Sequence, residues 1–257
     1  MHPRLSCLLL LALLAGCSRG PDATAPLLAD VRQRLAAREA RLTSYQLAGT
    51  AREGGQTLAF TFAYRAPQRM RGTLGTPPAS RTFAWNGTQL FERLDAEKRF
   101  TTFQDALKPE QRVGFLTQLF SPFVPEGFRA PLLPAQGVGV RRASHPRAPE
   151  AVELTVRPHA DVAFTYVLRW PSLDFVAKHI QEGTRRTEIR VEEEQCEQQL
   201  ALCVPRRLTQ WADGQQVAET TLSRVELNPA LPADGFTLTP PEGYEVQRRT
   251  LVETASP

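Results

Sequence analysis

The sequence predicts a mainly β protein, an antiparallel sheet accompanied by a few helices, and three observations lead there. Large apolar residues alternate with small or polar ones in separated runs: Leu58, Phe60, Phe62 and Tyr64 in QTLAFTFAYR, Phe83 and Trp85 in RTFAWNG, and Val162, Phe164, Tyr166, Leu168 and Trp170 in VAFTYVLRW. A period of two places every large group of a run on one side of a strand. Turn dipeptides separate such runs, with Gly54–Gly55, Asn86–Gly87 and Asp213–Gly214 supplying the residues that two-residue hairpin turns demand. Helical periodicity within the body of the chain surfaces in only two places.

The first 26 residues stand apart from that body. Arg4 precedes the apolar run Leu8–Leu14, and the small residues Ala15 and Gly16 follow it. A spanning helix needs roughly 20 apolar residues, so the run is too short to cross a bilayer and has the layout of a secretory signal peptide. Leu14, Ala15, Gly16 and Cys17 resemble the bacterial lipobox. That resemblance implies cleavage before Cys17, a diacylglyceryl thioether on its sulfur and acylation of the new amine; an ordinary signal with a chance cysteine is the other reading. Each buried CH₂ contributes about 0.8 kcal/mol, so several chains on one residue anchor a protein where one chain is marginal. The expected organisation is a signal at 1–16, a lipidated cysteine and flexible tether at 17–26 (SRGPDATAP has no apolar period), and a single domain at 27–257.

The domain opens with LLADVRQRLAAREARL, whose Leu27, Leu28, Val31, Leu35 and Leu42 lie near helical spacing and form one apolar stripe. From Ser44 the period changes to two. In mid-chain PEQRVGFLTQLF reads as a short helix starting at Pro109, since proline suits the first helical position. SPFVPEGFRAPLLPAQG follows, with Pro122, Pro125, Pro131 and Pro134 in a short span. Proline prevents regular ladder pairing, so this segment is expected to be a long rigid loop over the sheet. RRASHPRAP, around His145, reads as another loop.

Once Cys7 has left with the signal and Cys17 is alkylated, Cys196 and Cys203 remain in an oxidising compartment and are expected to pair. The loop CEQQLALC would contribute about 2.5 kcal/mol in the chain-entropy picture. Free thiols and a metal site are the rival readings, the latter without a CxxC or a nearby histidine.

The net charge of +4 is too mild to point to nucleic acid. Of the basic residues only Lys98, Lys108 and Lys178 are lysines, a bias that a GC-rich genome explains. GxSxG, HExxH and Walker patterns are missing, and His145, His159 and His179 are not spaced as ligands. No catalytic residue, metal or cofactor is therefore expected. Glu192, Glu193 and Glu194 read as a solvated hairpin tip or guarded edge.

Alternation alone leaves two readings of the aromatics open: they fill an ordinary core, or they line a cavity on the covered face of a strongly curved sheet. Four stretches in order bear on this. VRQRLAAREARLTSYQLAGT, FTFAYRAPQRMRG with Arg65, Pro67 and Arg71, FAWNGTQLFERLD with Gly87, Leu90 and Phe91, and LPADGFTLTPPEGYEV with Phe236, Pro240, Pro241 and Gly243 resemble the LolA/LolB-like superfamily of bacterial lipoprotein carriers. The resemblance implies a curved antiparallel half-barrel of about ten or eleven strands, with covering helices over an apolar cavity. It implies as partners an acyl chain, a lipid or a lipidated protein, held by an envelope lipoprotein with no enzymatic activity. Phe60, Phe62, Tyr64, Phe83, Trp85, Phe164, Tyr166, Leu168 and Trp170 are the candidate cavity residues. Ser18 after the lipidated cysteine resembles outer-membrane sorting, with the domain facing the periplasm. A protein-interaction module in envelope-stress sensing or assembly is the alternative on the same fold.

Overall fold

The structure is a computed structural model that describes residues 24–131, 133–134 and 136–251. The signal, Cys17 and most of the tether lie outside the described residues. Helix α1 (Thr24–Arg41) starts earlier than the expected boundary at Leu27. Pro26 is accommodated in the first turn, where backbone N–H groups have no intrahelical acceptor anyway.

Six strands then form one antiparallel meander: β1 (Ser44–Glu53), β2 (Gln56–Arg65), β3 (Arg69–Leu74), β4 (Arg81–Trp85), β5 (Gln89–Leu94) and β6 (Arg99–Asp105). Helix α2 (Pro109–Phe120) follows, with the Lys108 N–H donating to the Gln111 side-chain oxygen at 3.1 Å at its start. The proline-rich segment 121–137 begins with a 3-10 turn, Ser121–Phe123. A second meander holds β7 (Val138–His145), β8 (Ala148–His159), β9 (Val162–Arg169), β10 (Phe175–Glu182), β11 (Arg185–Glu197), β12 (Leu202–Ala212) and β13 (Gln215–Leu227). β1 pairs antiparallel with β13 and joins the meanders, while β14 (Glu245–Leu251) adds to β6 in parallel.

The result is one open curved sheet of 14 strands, ordered β14-β6-β5-β4-β3-β2-β1-β13-β12-β11-β10-β9-β8-β7. This exceeds the expected ten or eleven and is not wholly antiparallel. The surplus has two sources. RRASHPRAP is a hairpin and not a loop: Pro146 takes the turn, and Pro149 falls next to a ladder irregularity between Ala143 and His145, where a missing N–H matters little. The C-terminal chain crosses the sheet and returns as β14, which no local signal announces.

Both faces of the first meander are covered, and α1 covers part of the inner face of the second. On the inner face of the first meander, Phe62, Phe83, Trp85 and Leu90 pack with Tyr45 and Leu47 against Leu116 and Phe120 of α2 and against Phe123 and Phe128 of the proline-rich segment. On the inner face of the second meander, Val31 and Leu35 of α1 meet Leu154, Leu168, Phe175, Val191 and Leu208. The outer face of the first meander is covered by the chain after β13. Arg65, Arg69 and Arg71 donate to the carbonyls of Leu231, Ala233 and Gly235 in succession, and Leu238 packs on Phe91 and Phe100. In the second meander β10 bulges between Phe175 and Ala177, which bends the strand locally. There Arg147, at the β7–β8 turn, reaches over to the Val191 and Glu192 carbonyls of β11.

Candidate functional site

The proline-rich segment lies across the inner face and divides it. Its first part plugs the first meander, and its second part bridges the second meander without filling it. Two glycines set how closely it approaches. Gly72 of β3 lies under the Phe123 ring, where a Cβ would come within 2.5 Å of Phe123 Cδ1. Gly127 has φ +93° and would place a Cβ 2.8 Å from Phe175 and 2.9 Å from Pro205, so a side chain there meets both backbone strain and collision.

A buried ionic node pins the segment from below. The Arg38 guanidinium of α1, 2 % exposed, lies 3.6 Å from Asp174 and donates to the Gly127 carbonyl at 2.8 Å and the Cys203 carbonyl at 3.3 Å. Asp174 also accepts the Cys203 N–H at 3.0 Å and the Ser172 hydroxyl at 2.7 Å. Burial pushes the Arg38 pKa down from its ordinary value, and the Asp174 carboxylate opposes that. The node thus ties α1, the β9–β10 connection, the proline-rich segment and the β11–β12 hairpin at one point. Cys196 and Cys203 face each other across that hairpin and are joined as a disulfide. They form, with Glu194, the one cluster of metal-ligand residue types among the described residues, and sulfurs already bonded to each other offer no thiolate to a metal.

On both sides of Gly127 the segment roofs a cavity of about 700 Å³ over β8, β9 and β10. The volume falls within the range of about 300–1,000 Å³ typical of small-molecule sites. The walls are Phe120, Val124, Ala130, Val156, Phe164 and Tyr166, with prolines of the segment as roof. Its charged side chains are Glu126, Arg129 and Lys178. The Lys178 ammonium lies 2.5 Å from Glu126 Oε1 and 5.0 Å from the ring centres of both Phe164 and Tyr166. Burial works against the Lys178 charge, but Glu126 and Tyr166 outweigh it and hold the pKa above the usual lysine value. Burial also pushes the Tyr166 phenol up. A second cavity of about 220 Å³, lined by Phe60, lies on the other side of the roof and shares Ser121, Val124, Pro125 and Glu126 with the first.

The nine candidate residues are therefore not brought together. Phe164 and Tyr166 line the larger cavity and Phe60 the smaller. Phe62, Phe83 and Trp85 face neither. Phe120, Phe123 and Phe128 take up that space, with Phe62 at 6.0 Å from Phe120 and 6.4 Å from Phe123 between ring centres. Tyr64 stacks on Tyr45 at 5.0 Å and donates to the Pro67 carbonyl at 3.1 Å. Leu168 is packed under α1, and the Trp170 ring has two guanidiniums over it, Arg142 at 3.6 Å and Arg34 at 4.7 Å. Cys17 lies outside the described residues. Glu192, Glu193 and Glu194 sit on β11, an interior strand and not an edge, and pair with Arg147, Arg207 and Arg169. Sequence reasoning missed Glu126, Arg129 and Lys178. Lys178, one of only three lysines in the chain, carried the one available signal.

Among the described residues no helix is long and apolar enough to cross a membrane. No family model matches the chain, and no curated protein matches it. Solved structures do resemble it. A DUF1329 family protein from Desulfovibrio piger matches with a TM-score of 0.52 at 9 % identity, covering 82 % of this chain and 97 % of that one. A LolA superfamily protein from Nitrosomonas europaea matches at 0.49 and 13 %, covering 81 % and 97 %. The MucA/MucB complex structure from Pseudomonas aeruginosa matches at 0.31 and 15 %, covering 82 % of this chain and 60 % of that one. The structural neighbours include a LolA superfamily protein, and the likeness to the Desulfovibrio protein shows a shared fold.

Proposed function

We propose that this chain is an envelope lipoprotein, anchored through lipidated Cys17, that binds an acyl chain in the cavity under its proline-rich segment. The single observation that carries the reading is that cavity: about 700 Å³, walled mainly by aliphatic and aromatic side chains and roofed by a segment whose described residues form no strand. Transfer of a chain out of water favours binding without demanding directional contacts, so the role is sequestration or carriage of a lipid or lipidated protein and not catalysis. Ser18 after the lipidated cysteine favours the outer membrane, with the domain in the periplasm.

The test is displacement of an uncharged fluorescent naphthylamine probe by alkyl-chain ligands, using the full chain. Phe164→Glu places a carboxylate in an apolar wall and should reduce binding at least tenfold, while Leu58→Glu, at a site 44 % exposed, should leave it unchanged. Equal binding by wild type and Phe164→Glu would overturn the reading. Phe62→Glu is no test of it, because Phe62 is packed in the core. A second reading, a protein-interaction module, is favoured by one observation: among the described residues β14 pairs with β6 on one side only and, like β7 at the other end, leaves a sheet edge without a strand partner.

A further inference from the structure

The cavity contains one more positive charge than negative, and the unmatched charge is Arg129. Lys178 is already satisfied by Glu126 and by two aromatic faces. Arg129 has no carboxylate within 4.0 Å among the described residues; its nearest partners are the Met70 sulfur at 3.9 Å and the Tyr64 ring at 5.5 Å. Neither neutralises it. A guanidinium stacked over a ring keeps its in-plane N–H donors for other partners. An anion that meets a half-buried cation beside an apolar wall is screened less by salt and water than at an open surface.

The backbone fixes where this charge sits. Phe128 on one side is buried in the core of the first meander, and the Ala130 N–H on the other donates to Glu39 Oε1 of α1 at 2.9 Å. The root of the Arg129 side chain is therefore held at the cavity wall by two separate elements, which is how a recognition group is preorganised.

We infer that Arg129 is the headgroup-recognition residue of the cavity and that the ligand is an anionic amphiphile, its negative group on Arg129 and its apolar chain along Phe164 and Tyr166. This rests on the proposed chain-binding role and adds the charge of the ligand. A fatty-acid carboxylate and a phospholipid phosphate share the required chemistry.

The experiment compares chain-matched ligands in displacing the uncharged naphthylamine probe from the full chain: palmitate, hexadecanol and hexadecylamine. Palmitate should compete about tenfold better than hexadecanol, the order of a charge-assisted hydrogen bond, and hexadecylamine worse than both. Arg129→Gln should level palmitate and hexadecanol without weakening hexadecanol, and Arg129→Lys should keep the preference. Lysophosphatidylglycerol against lysophosphatidylcholine separates the sources: a preference for the first, lost in Arg129→Gln, identifies the phosphate, and its absence beside a palmitate preference identifies the carboxylate. Equal competition by palmitate and hexadecanol in the wild type, or a preference that survives Arg129→Gln, would overturn the inference while leaving chain binding intact. Failure of every ligand to compete would instead overturn the chain-binding role.

Discussion

Gly72 shows how much one missing side chain decides. The alternation of β3 with its neighbours puts Met70 and Gly72 on the inner face, and the gap at Gly72 is where the Phe123 ring enters. Gly72→Ala would force that ring away from Phe62 and Phe83, and overpacking of this kind costs about 1–3 kcal/mol. Urea unfolding should show a loss in that range; an unchanged midpoint would mean that Phe123 is not seated as described. Nothing in the sequence near Gly72 announces this role. A glycine in a strand pattern marks a close approach, but its partner lies 51 residues away in the chain. The same limit explains the mixed fate of the candidate aromatics. A period of two sorts Phe62 and Phe164 to one side of their own strands, yet it does not reveal that Phe123 covers the first while the roof stands clear of the second.

Elements were legible where their signal is local. The stripe Leu27–Leu35, the proline-started helix at Pro109, the alternating strands β2, β4 and β9, and the proline-rich crossing all follow from short stretches of chain and stand where they were expected. The β7–β8 hairpin and the parallel strand β14 were not legible, because charged and proline-rich composition hides the first and only a distant partner, β6, creates the second. That C-terminal strap depends on polar contacts with a stated pH dependence. Asp95 accepts from the Ser80 hydroxyl, from the Tyr244 hydroxyl at 2.9 Å and from Arg93 Nη2 at 3.4 Å, and it forms an ion pair with the same guanidinium, whose Nε lies 2.7 Å away. Burial raises its pKa, but these donors together outweigh burial and the net direction is down. A folded value below the unfolded one, about 3.9, means that the contribution is present above that pH and is lost as pH falls through the folded value. Urea melts on the acid side should therefore show a wild-type decline below about pH 4 that is shallower in Asp95→Asn. Parallel declines would show that the carboxylate does not hold the strap.

At the scale of the whole molecule, one open sheet is used in two ways. The first meander is closed on both faces and serves as a rigid frame, with α2, Phe123 and Phe128 inside and the C-terminal strap outside. The second is closed by α1 at one end only, and the roof over its remainder is held at Gly127 by the Arg38–Asp174 node. A filled half next to a roofed half gives a cavity without sacrificing the core, which is the architecture a chain-binding protein needs.

The central claim is that an apolar chain lies under the roof, and photo-crosslinking tests it most directly. The full chain is equilibrated with a fatty acid carrying a diazirine near its chain end, irradiated, digested and mapped by mass spectrometry. The account predicts labels concentrated in peptides from segment 121–134 and from strands β8 and β9, around Phe164 and Tyr166, and competed away by unlabelled palmitate. Labels spread over the outer face, confined to the β14 edge, or insensitive to competition would contradict it.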